Sequence, residues 1–264
     1  MGRTRNLALA TVLIALGLSV PLPAVADELD ARLDWGERYV ISTPLAGLVR
    51  EVRIKPGDQV EKDQVLFNLD TRRLQADARG LEAERARLRL ELAEADREVS
   101  RAEELYDRTL IAIRELELAR IQKAMASARI DKVDADLRKI RIDLDDSQIR
   151  APATARVLSV TVTPGEAVSP ALAPPVLATL GSGDPMRATT TVDANVAGRL
   201  QLGQSARVRL GGGDVFDGSV AAIGWEIKDI GFGPGYRLDI VFSPPETAAL
   251  RAGQSAHITL PALD

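Results

Sequence analysis

The sequence predicts a multidomain α+β protein: a β-sandwich split in two by an inserted antiparallel coiled-coil helical hairpin, followed by a small β-barrel. Three observations predict it. A fourteen-position β pattern occurs twice, 108 residues apart. Two heptad tracts of nearly equal length fill the interval. A run of short alternating strands, separated by glycine and proline turns, closes the chain.

The chain begins with a stretch that reads as an address rather than as structure. Arg3 and Arg5 supply a positive start, Leu7 to Val20 an apolar run, and Ala24 and Ala26 the small residues of a cleavage site before Asp27. Residues 1–26 are therefore expected to be a signal peptide. The apolar run is short for a finished membrane anchor, although an uncleaved anchor is the alternative. Losing two Arg and no acid moves the net charge from −4 to −6. No later segment has the continuous apolar length of a membrane helix, so a soluble mature chain is expected. Cysteine is absent, which excludes a lipid-modified N-terminal cysteine, disulfides and thiolate metal sites. Aromatics are only 3% of the 264 residues, so the cores must be aliphatic.

The repeat comes next. Pro44 to Gly57 (PLAGLVREVRIKPG) is followed by Asp58 and Val60. Pro152 to Gly165 (PATARVLSVTVTPG) is followed by Glu166 and Val168. Val49 aligns with Val157, Val52 with Val160, and Ile54 with Val162. Alternating β-branched residues make a half-buried strand, and Pro-Gly turns the chain because proline presets one dihedral and glycine tolerates the next. One such unit cannot bury its apolar side. Two facing copies can.

Between the copies, Leu74, Leu81, Leu88, Ala95 and Ala102 recur every seven residues, with Ala78, Arg85, Leu92, Val99 and Tyr106 four along. A second seam follows: Ala112, Ala119, Ala126, Val133 and Ile140, with Leu116, Lys123, Ile130, Leu137 and Leu144 offset by four. Arg85 and Lys123 are the exceptions. Asp70 or Thr71 is expected to cap the start. Arms of about Arg72–Asp107 and Ile113–Ser147, joined by a few residues, must run antiparallel and reach roughly 50 Å each. Their alternating charges suit a solvated helix surface; a nucleic-acid site would need a net basic footprint.

After Gly181 to Pro185, read as a linker or turn, five strands are expected: Arg187–Asp193, Ser205–Leu210, Val215–Ile223, Tyr236–Phe242 and Ser255–Leu260. Gly203-Gln-Ser-Ala is echoed fifty residues later by Gly253-Gln-Ser-Ala. Closure of so many short strands would remove unpaired edges. The expected division is thus 1–26 leader, 39–70 with 149–182 sandwich, 71–148 hairpin and 183–264 barrel.

Chemistry is hard to find. His257 is the only histidine, on an alternating strand, and no spacing of His or carboxylates suits a metal. Gly211 to Gly213 lacks the Lys-Ser/Thr of a phosphate loop, and no nucleophile elbow accompanies the serines. No enzyme, cofactor or metal site is expected.

A split repeat with Pro-Gly-Asp/Glu turns, interrupted by a coiled-coil hairpin and followed by a barrel, resembles the haemolysin D-like membrane fusion family, from Tyr39 onward. The resemblance implies that the sandwich is lipoyl/biotinyl-like. It also implies a periplasmic adaptor joining an inner-membrane transporter (RND or ABC type) to an outer-membrane channel, working as a trimer or hexamer without nucleic acid. In efflux members the tip carries an Arg, a Leu four later and a Ser seven beyond. The matching residues are Arg101, Leu105 and Ala112, preceded by Ile111. Ala112 replaces the Ser and cannot make its side-chain hydrogen bond. Many relatives also have a membrane-proximal domain built from both chain ends. With about twelve residues between the cleavage site and Tyr39, and an end at Asp264, that domain is expected to be absent or minimal. Two other functions fit the same layout: a lipoate or biotin carrier, whose lysine would sit in the turn that the hairpin occupies and not at Lys55 or Lys62, and a periplasmic scaffold without a channel.

Overall fold

The computed structural model describes residues 28–171, 173–245 and 250–261; the expected signal peptide lies outside them. The elements are β1 (Glu28–Ile41), β2 (Gly47–Val52), β3 (Gln59–Val60), β4 (Val65–Leu69), α1 (Arg72–Asp107), α2 (Ile113–Asp146), β5 (Gln148–Arg150), β6 (Ala155–Val160), β7 (Ala167–Val168), β8 (Ala178–Val192), α3 (Ala194–Arg199), β9 (Ser205–Leu210), β10 (Val215–Asp229), β11 (Pro234–Phe242) and β12 (Ser255–Thr259). They form an α+β fold with one eight-stranded and one four-stranded sheet. Strands β5-β4-β2-β7 make the smaller sheet. The larger runs β1-β12-β9-β10-β11-β8-β6-β3, and β1 also pairs with β8.

The two copies of the repeat meet in one core. Val49, Ile54 and Val60 are buried together with their counterparts Val157, Val162 and Val168. The backbone repeats the symmetry bond for bond. Gly57 N–H donates to Val157 O and Gly165 N–H to Val49 O, both at 2.8 Å, while Val157 N–H reaches Asp58 O and Val49 N–H reaches Glu166 O, again at 2.8 Å. The acid after each Pro-Gly has a local task. Asp58 Oδ2 accepts from Lys55 N–H and Glu166 Oε2 from Thr163 N–H, each at 3.0 Å. Gly57 and Gly165 sit at φ +96° and +91°, where a side chain is strained. A backbone donor that is buried at such a junction must find a partner, and here each copy supplies the other's.

The remaining strands build a second core from Leu33, Met186, Ala188, Val208, Leu238, Ile240 and Ile258 among others. The echo fifty residues apart also has a structural meaning. Gly203 N–H donates to Val220 O, and Val220 N–H donates back to Gln204 O; Gly253 and Gln254 exchange the same pair with Leu33. In each turn the glutamine amide oxygen accepts a backbone N–H three residues earlier, Gln201 for Gln204 and Arg251 for Gln254.

Two expectations differ from what is found. Residues 28–38, given no role in the sequence reading, are most of strand β1, which pairs with β12 from Glu28 to Arg32 and with β8 from Arg32 to Ile41. The Gly181 to Pro185 segment is not a linker but the middle of β8, which crosses the expected boundary between residues 182 and 183. The reason lies in close packing. A Cβ on Gly181 would lie 2.6 Å from the Trp35 ring, and one on Gly36 would lie 1.8 Å from Pro185 O. These glycines let β1 and β8 approach, a use that reads in sequence like a turn signal.

Candidate interaction site at the hairpin tip

The helical insertion leaves the sandwich at Leu69 and returns at Gln148. Its start is held by Asp70, whose Oδ1 accepts from Arg72 N–H at 3.0 Å while its Oδ2 takes the Arg72 guanidinium at 2.6 Å. That guanidinium pulls the Asp70 carboxyl down to about 2. The 36 and 34 residues of α1 and α2 make arms of roughly 50 Å. Leu88, Val133 and Leu137 form the seam's buried cluster, with Leu81 and Ile130 against it.

The two heptad exceptions are explained by ion pairs between the arms. Arg85 Nε lies 2.5 Å from Asp134 Oδ1, and Lys123 Nζ 2.7 Å from Asp96 Oδ1. The Asp96 contact raises the Lys123 ammonium above its ordinary value. Arg120 to Glu103 at 2.8 Å adds a pair nearer the turn. Opposite charges at these positions oppose an arm slipping in register, since a shifted register would separate them.

The arms are joined by residues 108–112. Leu110 N–H donates to Leu105 O at 2.9 Å and Thr109 N–H to Tyr106 O at 2.8 Å, the two bonds of a Schellman closure. Its left-handed position is filled by Thr109 at φ +61°, where glycine is usual. Leu110 and Ile113 stand 66% and 48% exposed at this turn.

Of the sequence-predicted residues, Leu105 is half-buried and provides the accepting carbonyl of that closure. Ile111 is half-buried in the turn, and Ala112 is exposed as the N-cap of α2 without a side-chain cap bond. Arg101 is exposed and ion-paired to Glu98 at 2.6 Å; six residues before the end of α1, it lies about 9 Å down the arm. Sequence reasoning did not single out Leu110 and Ile113. The signal was there: a turn of Thr-Leu-Ile-Ala-Ile is apolar where turns are usually polar.

Among the described residues no group of three or more His, Cys, Asp or Glu could hold a metal ion, and no helix is long and apolar enough to cross a membrane. Two β-sheets and a long helical hairpin inserted between the copies of the repeat are the architecture against which known proteins compare. The model of the CzcB-like barrel-sandwich hybrid domain matches residues 37–173, over half of the chain, and the chain belongs to that family. No curated protein matches it in sequence. Among solved structures it is similar to the membrane fusion protein Spr0693 from Streptococcus pneumoniae R6, with TM-score 0.72 and 17% identity over 90% of this chain and 99% of that one. MacA from Actinobacillus actinomycetemcomitans follows at 0.65 and 16% identity, over 89% and 78%. ZneB from Cupriavidus metallidurans matches at 0.54 and 24% identity, over 89% and 97%. The family resemblance drawn from the repeat and hairpin therefore holds.

Proposed function

We propose that this chain is a non-catalytic periplasmic adaptor that links an inner-membrane transporter to an outer-membrane channel and so supports export. The observation that carries the reading is the hairpin: two roughly 50 Å arms locked by cross-arm ion pairs, ending in an exposed apolar turn. A rigid arm with apolar side chains at its tip is suited to reaching a partner. Arg101, Leu105, Ile111 and Ala112, joined by Leu110 and Ile113, are the channel-facing residues in this reading.

The domain division follows the same lines: a lipoyl/biotinyl-like sandwich, the inserted hairpin, and a small closed barrel. Support for the barrel comes from the pairings, which run β1-β12-β9-β10-β11-β8 and return to β1. Lateral packing of copies into a trimer or hexamer is supported by Leu118, Ile121 and Met125, exposed on α2 at helical spacing away from the seam. The inner-membrane partner is a transporter of RND or ABC type.

The test is in-cell photocross-linking from positions 105 and 110, paired with an export assay. Capture of an outer-membrane channel, and loss of export in Leu110→Asp with an unchanged melting temperature, is the expected result. Full export by Leu110→Asp and Leu105→Asp together would refute docking through the tip.

A further inference from the structure

Only two tryptophans occur in the chain, and one is displayed. Trp35 is buried against Gly181, whereas Trp225 is 96% exposed. Its position is built by the backbone. Between the partners Ile223↔Leu238 and Ile227↔Tyr236, three residues of β10 face the single residue Arg237, a bulge that re-aims a side chain. Gly224 eases the bulge, since a Cβ there would crowd the Arg237 backbone at 3.0 Å from its N. Two residues on, Ile227 is 63% exposed, and Leu202, in the turn before β9, is 70% exposed.

These three side chains stand at one end of the β body. Arg32 pairs with Thr189; three residues further along β8, Val192 pairs with Tyr236, itself the partner of Ile227. Because β1 and β8 are antiparallel, stepping from Arg32 back to Glu28 moves toward that same end. The sandwich joins at the other end, at Ile41 and Ala178. The chain therefore enters the fold at the same end as Trp225, three strands away in the pairing order. Ahead of Glu28 the sequence has seven residues, 21–27, and then the apolar run Leu7 to Val20. Seven residues span at most about 25 Å, so in the uncleaved-anchor alternative a membrane holding that run lies within reach of this end.

We propose that this end of the β body is a foot that touches phospholipid, with Trp225, Ile227 and Leu202 entering the headgroup region. Tryptophan favours that layer because its ring is apolar and its N–H is polar. A protein partner would bury about 800 Å² on this side, whereas the large apolar side chains that stand strongly exposed at this end, among the described residues, are these three, with Glu226, Lys228 and Asp229 interleaved on the same strand. Glu226 and Lys228 pair with each other at 3.0 Å, so with Asp229 as the one further charge the end of β10 carries a net charge of only −1. Contact should accordingly be insensitive to anionic lipid. The inference is independent of the adaptor reading.

The test uses the chain with residues 1–26 replaced by a hexahistidine tag, since the described fold begins at Glu28. It is held on phosphatidylcholine vesicles containing a nickel-chelating lipid and a lipid brominated near the top of its acyl chain. Tryptophan emission should shift to the blue and be quenched; Trp225→Phe should abolish the quenching, leaving the Trp35 emission. Ile227→Ser with Leu202→Ser should reduce quenching by at least twofold. Adding phosphatidylglycerol should change nothing. Unquenched emission from the tethered protein, or quenching equal in Trp225→Phe, overturns the proposal. So does protection of Trp225 only when a transporter is added, which would make the foot a protein contact.

Discussion

Replacing Leu88 by Ala probes whether the hairpin stands as a unit of its own. Leu88 is 3% exposed, and every residue of its cluster belongs to one of the two arms. Leu→Ala in a core costs about 2–5 kcal/mol, according to how well the site can collapse. A seam between two helices has no third wall to hold a cavity open, so the lower part of that range applies, about 2–3 kcal/mol. For a unit of 60–100 residues, each kcal/mol moves the melting point by about 4–8 °C, giving a fall of about 10–20 °C. Two probes separate the parts. Ellipticity at 222 nm reports the arms, because α3 holds only 6 helical residues beside their 36 and 34. Trp35 emission reports the β body. The ellipticity transition should fall while the Trp35 transition stays. Leu90→Ala, at a position 74% exposed, should move neither by more than about 2 °C. Loss of both transitions together in Leu88→Ala, or of neither, would refute the reasoning.

Other predictions come from the turns. Gly57→Ala and Gly165→Ala meet nothing within 4 Å, so each should cost only the left-handed strain, about 1–2 kcal/mol. The pseudo-symmetry makes the two costs equal, and urea unfolding that finds one neutral would contradict it. Thr109→Gly should relieve the strain at φ +61° and slow hydrogen exchange of the Leu110 amide about threefold; faster exchange would argue against the closure. Asp70 has a folded pKa of about 2 against an ordinary 3.8. Its stabilising effect is therefore complete above pH 4 and is lost as pH falls through about 2. A carboxyl titration by NMR should show that low midpoint, and a midpoint near 4 would remove the Asp70 clamp.

The candidate site was legible only in part. Arg101, Leu105, Ile111 and Ala112 were suggested by the family resemblance, while heptad spacing by itself located only the turn between the arms. Whether a tip side chain faces water is not encoded in spacing, so Leu110 and Ile113 emerged only with the fold. The display of Trp225 was equally hidden, because it depends on a bulge across from Arg237.

Local patterning determined the parts of this protein. Repeat period, heptads and Pro-Gly turns each act over a few residues, and they specified the two β copies, the hairpin and the short strands before any contact was known. Joining those parts was left to tertiary structure. Strand β1 spans both β cores, and nothing local marks its partners, which lie about 150 residues away for β8 and over 200 away for β12. Gly36 and Gly181 look like turns until the Trp35 ring and Pro185 are set against them. Arg85 and Lys123 break their heptads until the opposite arm brings Asp134 and Asp96. In each case the meaning of a residue rests on a neighbour distant in sequence, and only folding supplies that neighbour.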